Sequence, residues 1–348
     1  MTGDPERQVR FLLKIQNLLT EGRFTASYKF ALLLALCDLS VELSDGPTGE
    51  LHVPLIRIAE KFVTYYWRHV LPYVAAHESP SVVLRQNTSG QAEIIGLVQQ
   101  AHRLFEGSLP AAQADVRAWR SLTSRVRRIV LEMPLWKLQR LGVALDPFLY
   151  QQEVLVNDCV VLMPGVAHSL RSFHGLISEL IRTSWIRYIR QTNAAVLQGE
   201  RDLSEFLFGV ERGQLGALCP LLRDIQSGCC FYCTAALSSP GDVDHFIPWS
   251  RYSLDYGHNF VLAHPTCNRE KGAYLAAENH LEDWVKRNEV QGEPFTKKLR
   301  GLGFVSDWNS SRQIAHWAYQ GAADLNALLW LAGTGPVPMT GAWAVLLR

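Results

Sequence analysis

Two short-spaced pairs of soft metal ligands stand near the middle of the C-terminal half: Cys230-x-x-Cys233 and His264-x-x-Cys267. A two-residue gap lets one tight turn present both donor atoms to a single ion. Two such pairs are the usual supply for a tetrahedral structural zinc. The spacing therefore predicts Zn2+ held by Cys230, Cys233, His264 and Cys267. Cys229 adds a thiol beside the first ligand, but only Cys230 leaves the two-residue gap to Cys233.

Between and beside these pairs lies a harder donor set: Asp244, His245, Asn259 and Asn268. Carboxylate and amide oxygens suit Mg2+ or Mn2+, and a neutral imidazole suits proton abstraction near neutral pH. Together they are what metal-assisted hydrolysis of a phosphodiester asks for. Asp244 and His245 fall in an apolar run (Val243, Phe246, Ile247) closed by Pro248, which reads as a short strand. Adjacent strand residues point to opposite faces. The two can act on one substrate only where the strand ends.

The run DVDHFIPWSRY, followed by HNFVLAHPTCNREKG, resembles the HNH endonuclease family over about residues 216–285. The resemblance implies a two-stranded hairpin and a helix around a metal (ββα-metal), in the variant that carries a structural zinc. It implies Asp244 as the metal-binding acid, His245 as the general base and Asn259 as the brace of the loop that holds the histidine. Asn268 matches the final position, a second ligand of the catalytic Mg2+, where many members have His. His264 stands where many members have Cys, and it too can ligate zinc. Arg269 and Lys271 would lie near phosphate. The implied activity is a metal-dependent endonuclease that nicks or cuts DNA. Restriction or anti-phage defence is the setting suggested by its large helical companion. A non-catalytic, zinc-stabilised nucleic-acid-binding module and an RNA-cleaving effector stay open as alternatives.

With 348 residues the chain has room for two or three domains. Hydrophobic content of 48% with 19% charged residues describes a globular protein, and the net charge of +1 excludes a global basic field. A nucleic-acid contact must then be local, and the densest basic cluster is Arg117, Arg120, Arg125, Arg127 and Arg128. Four of the seven cysteines lie between 229 and 267, which favours metal in a reducing compartment over a disulfide framework. The start MTGDPERQVR lacks a signal-peptide pattern, and the longest apolar run, residues 30–37, is far short of a membrane span. The expected place is the cytoplasm, with DNA as partner and the helical N-terminal part free to dock a protein.

Around the site, periodicity predicts a mainly α chain. Helices are expected over 7–21, up to about 43 from a cap at Thr25 or Ser27, and over 54–75, 92–106, 111–131 and 166–195. The stripe Phe62, Tyr65, Tyr66 and Trp67 reads as core, and Arg85, Gln86 and Asn87 as a solvated loop. Residues 147–163 read as two strands about an Asn157-Asp158 turn. The expected divisions are a helical domain over 1–146, a hairpin, long helix and linker over 147–213, the nuclease module over 214–290 and a helical extension over 291–348.

Overall fold

The computed structural model describes residues 5–22, 24–46, 49–74, 81–141, 144–151, 154–197, 202–209, 212–238 and 240–348. Parts of the expected loops at 44–49 and 79–94, of the 147–163 strands and of the 196–213 linker lie outside these. The chain divides into two compact units, residues 1–210 and 211–348.

The first unit is a helical bundle: α1 (Pro5–Glu21), α2 (Tyr28–Glu42), α3 (Leu55–His69), α4 (Glu93–Leu104), α5 (Val116–Glu132) and α6 (His174–Thr192). The sequence of α2, YKFALLLALCDLSVE, has no polar face. A helix that is apolar all round is stable only when surrounded, and α2 is buried at nearly every position between α3 and α6. Its polar residues survive burial because each is partnered. Asp38 accepts from Tyr65 Oη at 2.7 Å and pairs with His174 Nε2 at 2.9 Å. Glu42 pairs with Lys61, and with Arg57 at 3.4 Å. Burial alone would raise the Asp38 carboxyl, but the His174 bond, Lys61 and Tyr65 outweigh it and hold it down at about 2.

Four local expectations change on contact with tertiary structure. Ser27 precedes α2 but caps nothing, because its hydroxyl bonds to Tyr66 Oη at 2.6 Å. The 111–131 helix is split at Asp115, whose carboxylate accepts the backbone N–H groups of Arg117 and Ala118 and starts α5 afresh. The 166–195 helix is divided at Phe173 into Val166–Ser172 and α6. The Asn157-Asp158 turn has both residues at positive φ, 50° and 62°, as a two-residue hairpin turn requires. The strand after it, β2 (Cys159–Val161), takes its ladder from β1 (His52–Pro54).

Gln86 lies inside the core instead of in a solvated loop. Its amide oxygen accepts from Trp185 Nε1 at 3.1 Å, and its amide nitrogen faces His69 Nδ1 at 3.2 Å. That orientation makes Nδ1 an acceptor.

In the second unit a 3-10 helix (Arg212–Leu218) leads into α7 (Cys219–Ile225), then come the antiparallel hairpin β3 (Asp242–His245) and β4 (Phe260–Ala263), and α8 (Pro265–Lys271). Behind them stand α9 (Glu278–Gly301), interrupted at Gly292, and α10 (Trp308–Asp324). The expected all-helical extension contains a hairpin, β5 (Leu329–Leu331) with β6 (Gly335–Val337). Gly333 and Gly335, both at positive φ, make the reversal that a helix could not. Trp330 then bridges to the segment after α8, donating to Leu275 O and accepting from Ala277 N. The chain ends in α11 (Trp343–Leu346), where the Glu278 carboxylate accepts backbone N–H bonds from Thr340, Gly341 and Trp343. Phe246 stacks on Trp284 of α9 with centroids 5.0 Å apart, so α9 packs directly behind the residue after β3.

His69 supplies a test of the first unit's core. Burial against Tyr66, Trp185 and Phe208 pushes its pKa from 6.5 down to about 3. Between those values the unfolded chain binds a proton that the folded chain refuses. Its contribution to stability therefore falls as pH drops below about 6.5, by about 1.4 kcal/mol per pH unit. Urea denaturation at pH 4.5, 5.5 and 6.5 should show a shallower acid loss in His69→Gln than in wild type. Equal slopes would place the ring in contact with solvent.

Candidate active site

The knuckle that follows α7 is stitched to the hairpin by hydrogen bonds that need no metal. Gln226 bonds through both ends of its amide to the N–H and C=O of Leu262 in β4, at 2.8 and 2.7 Å. Phe231 N donates to Leu262 O at 2.9 Å, and Arg223 Nη1 to Leu237 O at 3.3 Å. These bonds carry Cys230 and Cys233 to the joint between β4 and α8, where His264 sits.

The four soft ligands meet there. Ligand atoms of Cys230, Cys233, His264 and Cys267 all lie within 4.8 Å of one another. Cys233 Sγ is 3.2 Å from His264 Nδ1, a separation that suits two corners of a zinc tetrahedron. His264 Nε2 faces Ala236 O at 3.3 Å, which fixes Nε2 as the donor and leaves Nδ1, beside Cys233, as the atom that would ligate. At Cys230 burial opposes ionisation, but backbone N–H groups of Cys233, His264 and Tyr232 win and lower its pKa. At Cys267 burial, with the neighbouring thiols, pushes the pKa up to about 12. Three sulfurs this close need a divalent cation to be thiolates together. This Cys3His set is compatible with a structural zinc.

The harder donors are placed by the hairpin. Its register pairs Asp244 with Val261 and His245 with Phe260. Strand alternation sets Asp242 and Asp244 on one face and His245 on the other, and His245 is the last residue of β3. Asn259 is buried and clamps the outgoing chain. Its amide accepts from Ile247 N at 2.7 Å and donates to Ile247 O at 2.9 Å. Phe246 N adds a bond to Asn259 O at 2.7 Å.

Asp244 is buried and accepts from Tyr232 Oη at 2.6 Å and Lys271 Nζ at 3.0 Å. Both contacts fall on Oδ2, so Oδ1 is the oxygen left for a cation. Asn268 does not bond to Asp244. Its Nδ2 donates to Asp242 Oδ2 at 3.3 Å, which leaves its amide oxygen to ligate. A carboxylate oxygen and an amide oxygen are each of the donor type that Mg2+ takes, an ion that binds few protein ligands and keeps the rest as water and phosphate.

Lys271 is fully buried, so it does not present its charge to a solvent-borne phosphate. It bonds to His245 O at 2.9 Å as well as to Asp244, and burial pulls its pKa down while Asp244 opposes the fall. Arg269 is exposed on the same helix. Two residues were not legible as site residues. Asp255 Oδ1 lies 2.7 Å from His245 Nε2, and Tyr232 is the hydroxyl on Asp244.

The basic cluster belongs to the first unit. Arg117, Arg120, Arg125 and Arg128 are exposed on the outer face of α5, interleaved with Ser121 and Ser124. Val116, Arg117, Arg120, Ser121 and Ser124 line a shallow open depression. Arg127 is half-buried and bound to Asp158, with Nε 2.9 Å from Oδ2. Arg128 reaches Glu132 at 3.9 Å.

Residues 230–277 match the family described as HNH endonuclease, and that stretch spans the knuckle, the hairpin and α8. Residues 8–203, more than half of the chain, match the Domain of unknown function DUF8808, and the chain belongs to that family. No curated protein and no solved structure matches the chain. Among the described residues no helix is long and apolar enough to cross a membrane.

The buried Lys271–Asp244 pair gives a stability prediction. Removing one member of a buried ion pair leaves an uncompensated charge and costs about 3–5 kcal/mol. Lys271→Ala should lower the stability of the second unit by that order in urea denaturation at pH 7. A loss under about 1 kcal/mol would mean that the ammonium finds water.

Proposed function

We propose that this protein is a metal-dependent endonuclease that hydrolyses phosphodiester bonds of DNA. The observation that carries the reading is the end of β3. There His245, as the last residue of the strand, offers an imidazole, while Asp244 keeps one carboxylate oxygen clear of Tyr232 and Lys271 and Asn268 keeps its amide oxygen clear of Asp242, the donor types that a hard cation takes. In this reading His245 takes the proton of a water poised against phosphorus. The bound Mg2+ or Mn2+ would supply Lewis-acid stabilisation of the leaving 3′ oxygen. Asp244 and Asn268 would hold that ion, Asn259 keeps the chain after His245 in place, and Arg269 meets a neighbouring phosphate. Zinc on Cys230, Cys233, His264 and Cys267 would take no part in the chemistry. It stands in for a hydrophobic core that so short a module cannot supply.

The arginine face of α5 is proposed as a DNA-backbone contact. Arg117, Arg120, Arg125 and Arg128 keep exposed guanidinium groups on one face, whereas Arg127 is committed to Asp158. A helical unit that grips DNA, joined to a module that cuts it, suits restriction of foreign DNA in the cytoplasm. The helical unit could also receive a protein partner.

His245→Ala should slow nicking of supercoiled plasmid in Mg2+ by roughly 10²–10⁴-fold, with zinc content and circular dichroism unchanged. Wild-type cutting by this variant would remove the assignment of the base. Cutting of RNA but not DNA by the wild type would move the substrate to RNA.

For α5, log K for duplex DNA should fall with log salt less steeply, by about 3 to 4 units of slope, when the four exposed arginines become alanine. An unchanged slope would clear this face of any contact.

A further inference from the structure

Asp255 lies ten residues beyond His245, in the connection between β3 and β4, and is given no role by the sequence resemblance. Its Oδ1 stands 2.7 Å from His245 Nε2, with the two side chains only 16% and 19% exposed. The ring is held from its other sides by Phe260, at 4.8 Å between centroids, and Trp249, at 5.7 Å.

The loop that delivers Asp255 is anchored. Tyr256 bridges to Val305, Gly257 N donates to Val305 O at 2.8 Å, and Asn259 N donates to Tyr256 O at 2.9 Å. At Gly257 a Cβ would meet Ser306 Oγ at 2.6 Å and Leu299 Cδ1 at 2.9 Å, so no larger residue fits the approach. The carboxylate is thus presented by backbone that is tied down on its C-terminal side.

We propose that Asp255 is the positioning residue of His245, and that it fixes which ring nitrogen abstracts the proton. An ionised carboxylate only accepts. Nε2 must then carry the hydrogen, and the lone pair of the neutral ring sits at Nδ1. This inference rests on the nuclease reading for its consequence, but the state of the ring can be measured without any cleavage.

The test uses the full-length zinc-loaded chain with 15N-labelled histidine, and His245→Gln to assign the ring signals. In wild type, the neutral His245 ring should show a protonated Nε2 and a bare Nδ1. In Asp255→Ala the two nitrogens should shift towards each other as the tautomers mix. Asp255→Asn, nearly isosteric, covers the case in which the alanine variant does not fold. An amide can turn either end to the ring, so mixing is expected there too. A wild-type ring with Nδ1 protonated, or a signature unmoved in both variants, overturns the proposal.

Cleavage gives the second readout. Asp255→Ala should lower kcat by roughly 10- to 100-fold with KM little changed, a part of the 10²–10⁴-fold that a general base supplies. In the His245→Ala background the same change should add nothing, because groups that act as a unit are not additive. An equal further loss in that background, or an effect confined to KM, would show that Asp255 does not act through the ring. If wild type cuts nothing while the tautomer follows Asp255, the nuclease reading fails and the positioning stands.

Discussion

His264 is the residue on which the second unit turns. It follows β4 directly, occupies the position before α8, and places its backbone N–H 3.3 Å from Cys230 Sγ while its ring faces Cys233. The strand end, the helix start and the knuckle are therefore fixed by one residue. A metal at this point sets the angle at which α8 leaves the hairpin, and with it the positions of Asn268 and Lys271. The soft-ligand pairs interleave in sequence with Asp244, His245, Asn259 and Asn268, so one joint positions both sets.

Both units bury charge, and both do it under the same rule. In the first, Asp38 and Glu42 sit on an otherwise apolar helix and are each met by cations or donors. In the second, Lys271 neutralises Asp244 from one side, and the half-buried Arg287 pairs with no carboxylate among the described residues. Arg287 donates to His258 O and Phe260 O at 2.7 Å each, and burial pulls its pKa down to about 9. Those carbonyls flank Asn259, so the amide that clamps Ile247 is gripped from behind. Partnered burial of this kind is costly to break and specifies one arrangement.

The soft-ligand cluster and the strand end of the candidate site were legible because their signals are local. Two ligand pairs with equal gaps, and an acid–imidazole pair ending a short apolar run, can be read without tertiary knowledge. Lys271 misled because it stands two residues from Arg269 in a basic stretch. Two residues on a helix are about 200° apart, so one faces solvent and the other the core. Asp255 was invisible because its contact forms across an aperiodic loop. In the first unit the Asn157-Asp158 turn was readable from its residue types, but the ladder of β2 comes from β1, more than a hundred positions earlier. Gln86 looked like a loop residue because its partners, His69 and Trp185, are remote in sequence.

The carboxylate of Glu278 has an effect beyond holding the chain end. It sits in the first turn of α9, the helix whose Trp284 backs Phe246, next to His245. The last segment is therefore latched to the same rod that supports the hairpin. Clipping the chain ahead of Thr340 would strip three N–H donors from that anion and loosen α9 at its entry. The tail then works as a remote tensioner for β3, through α9 and the Phe246–Trp284 stack.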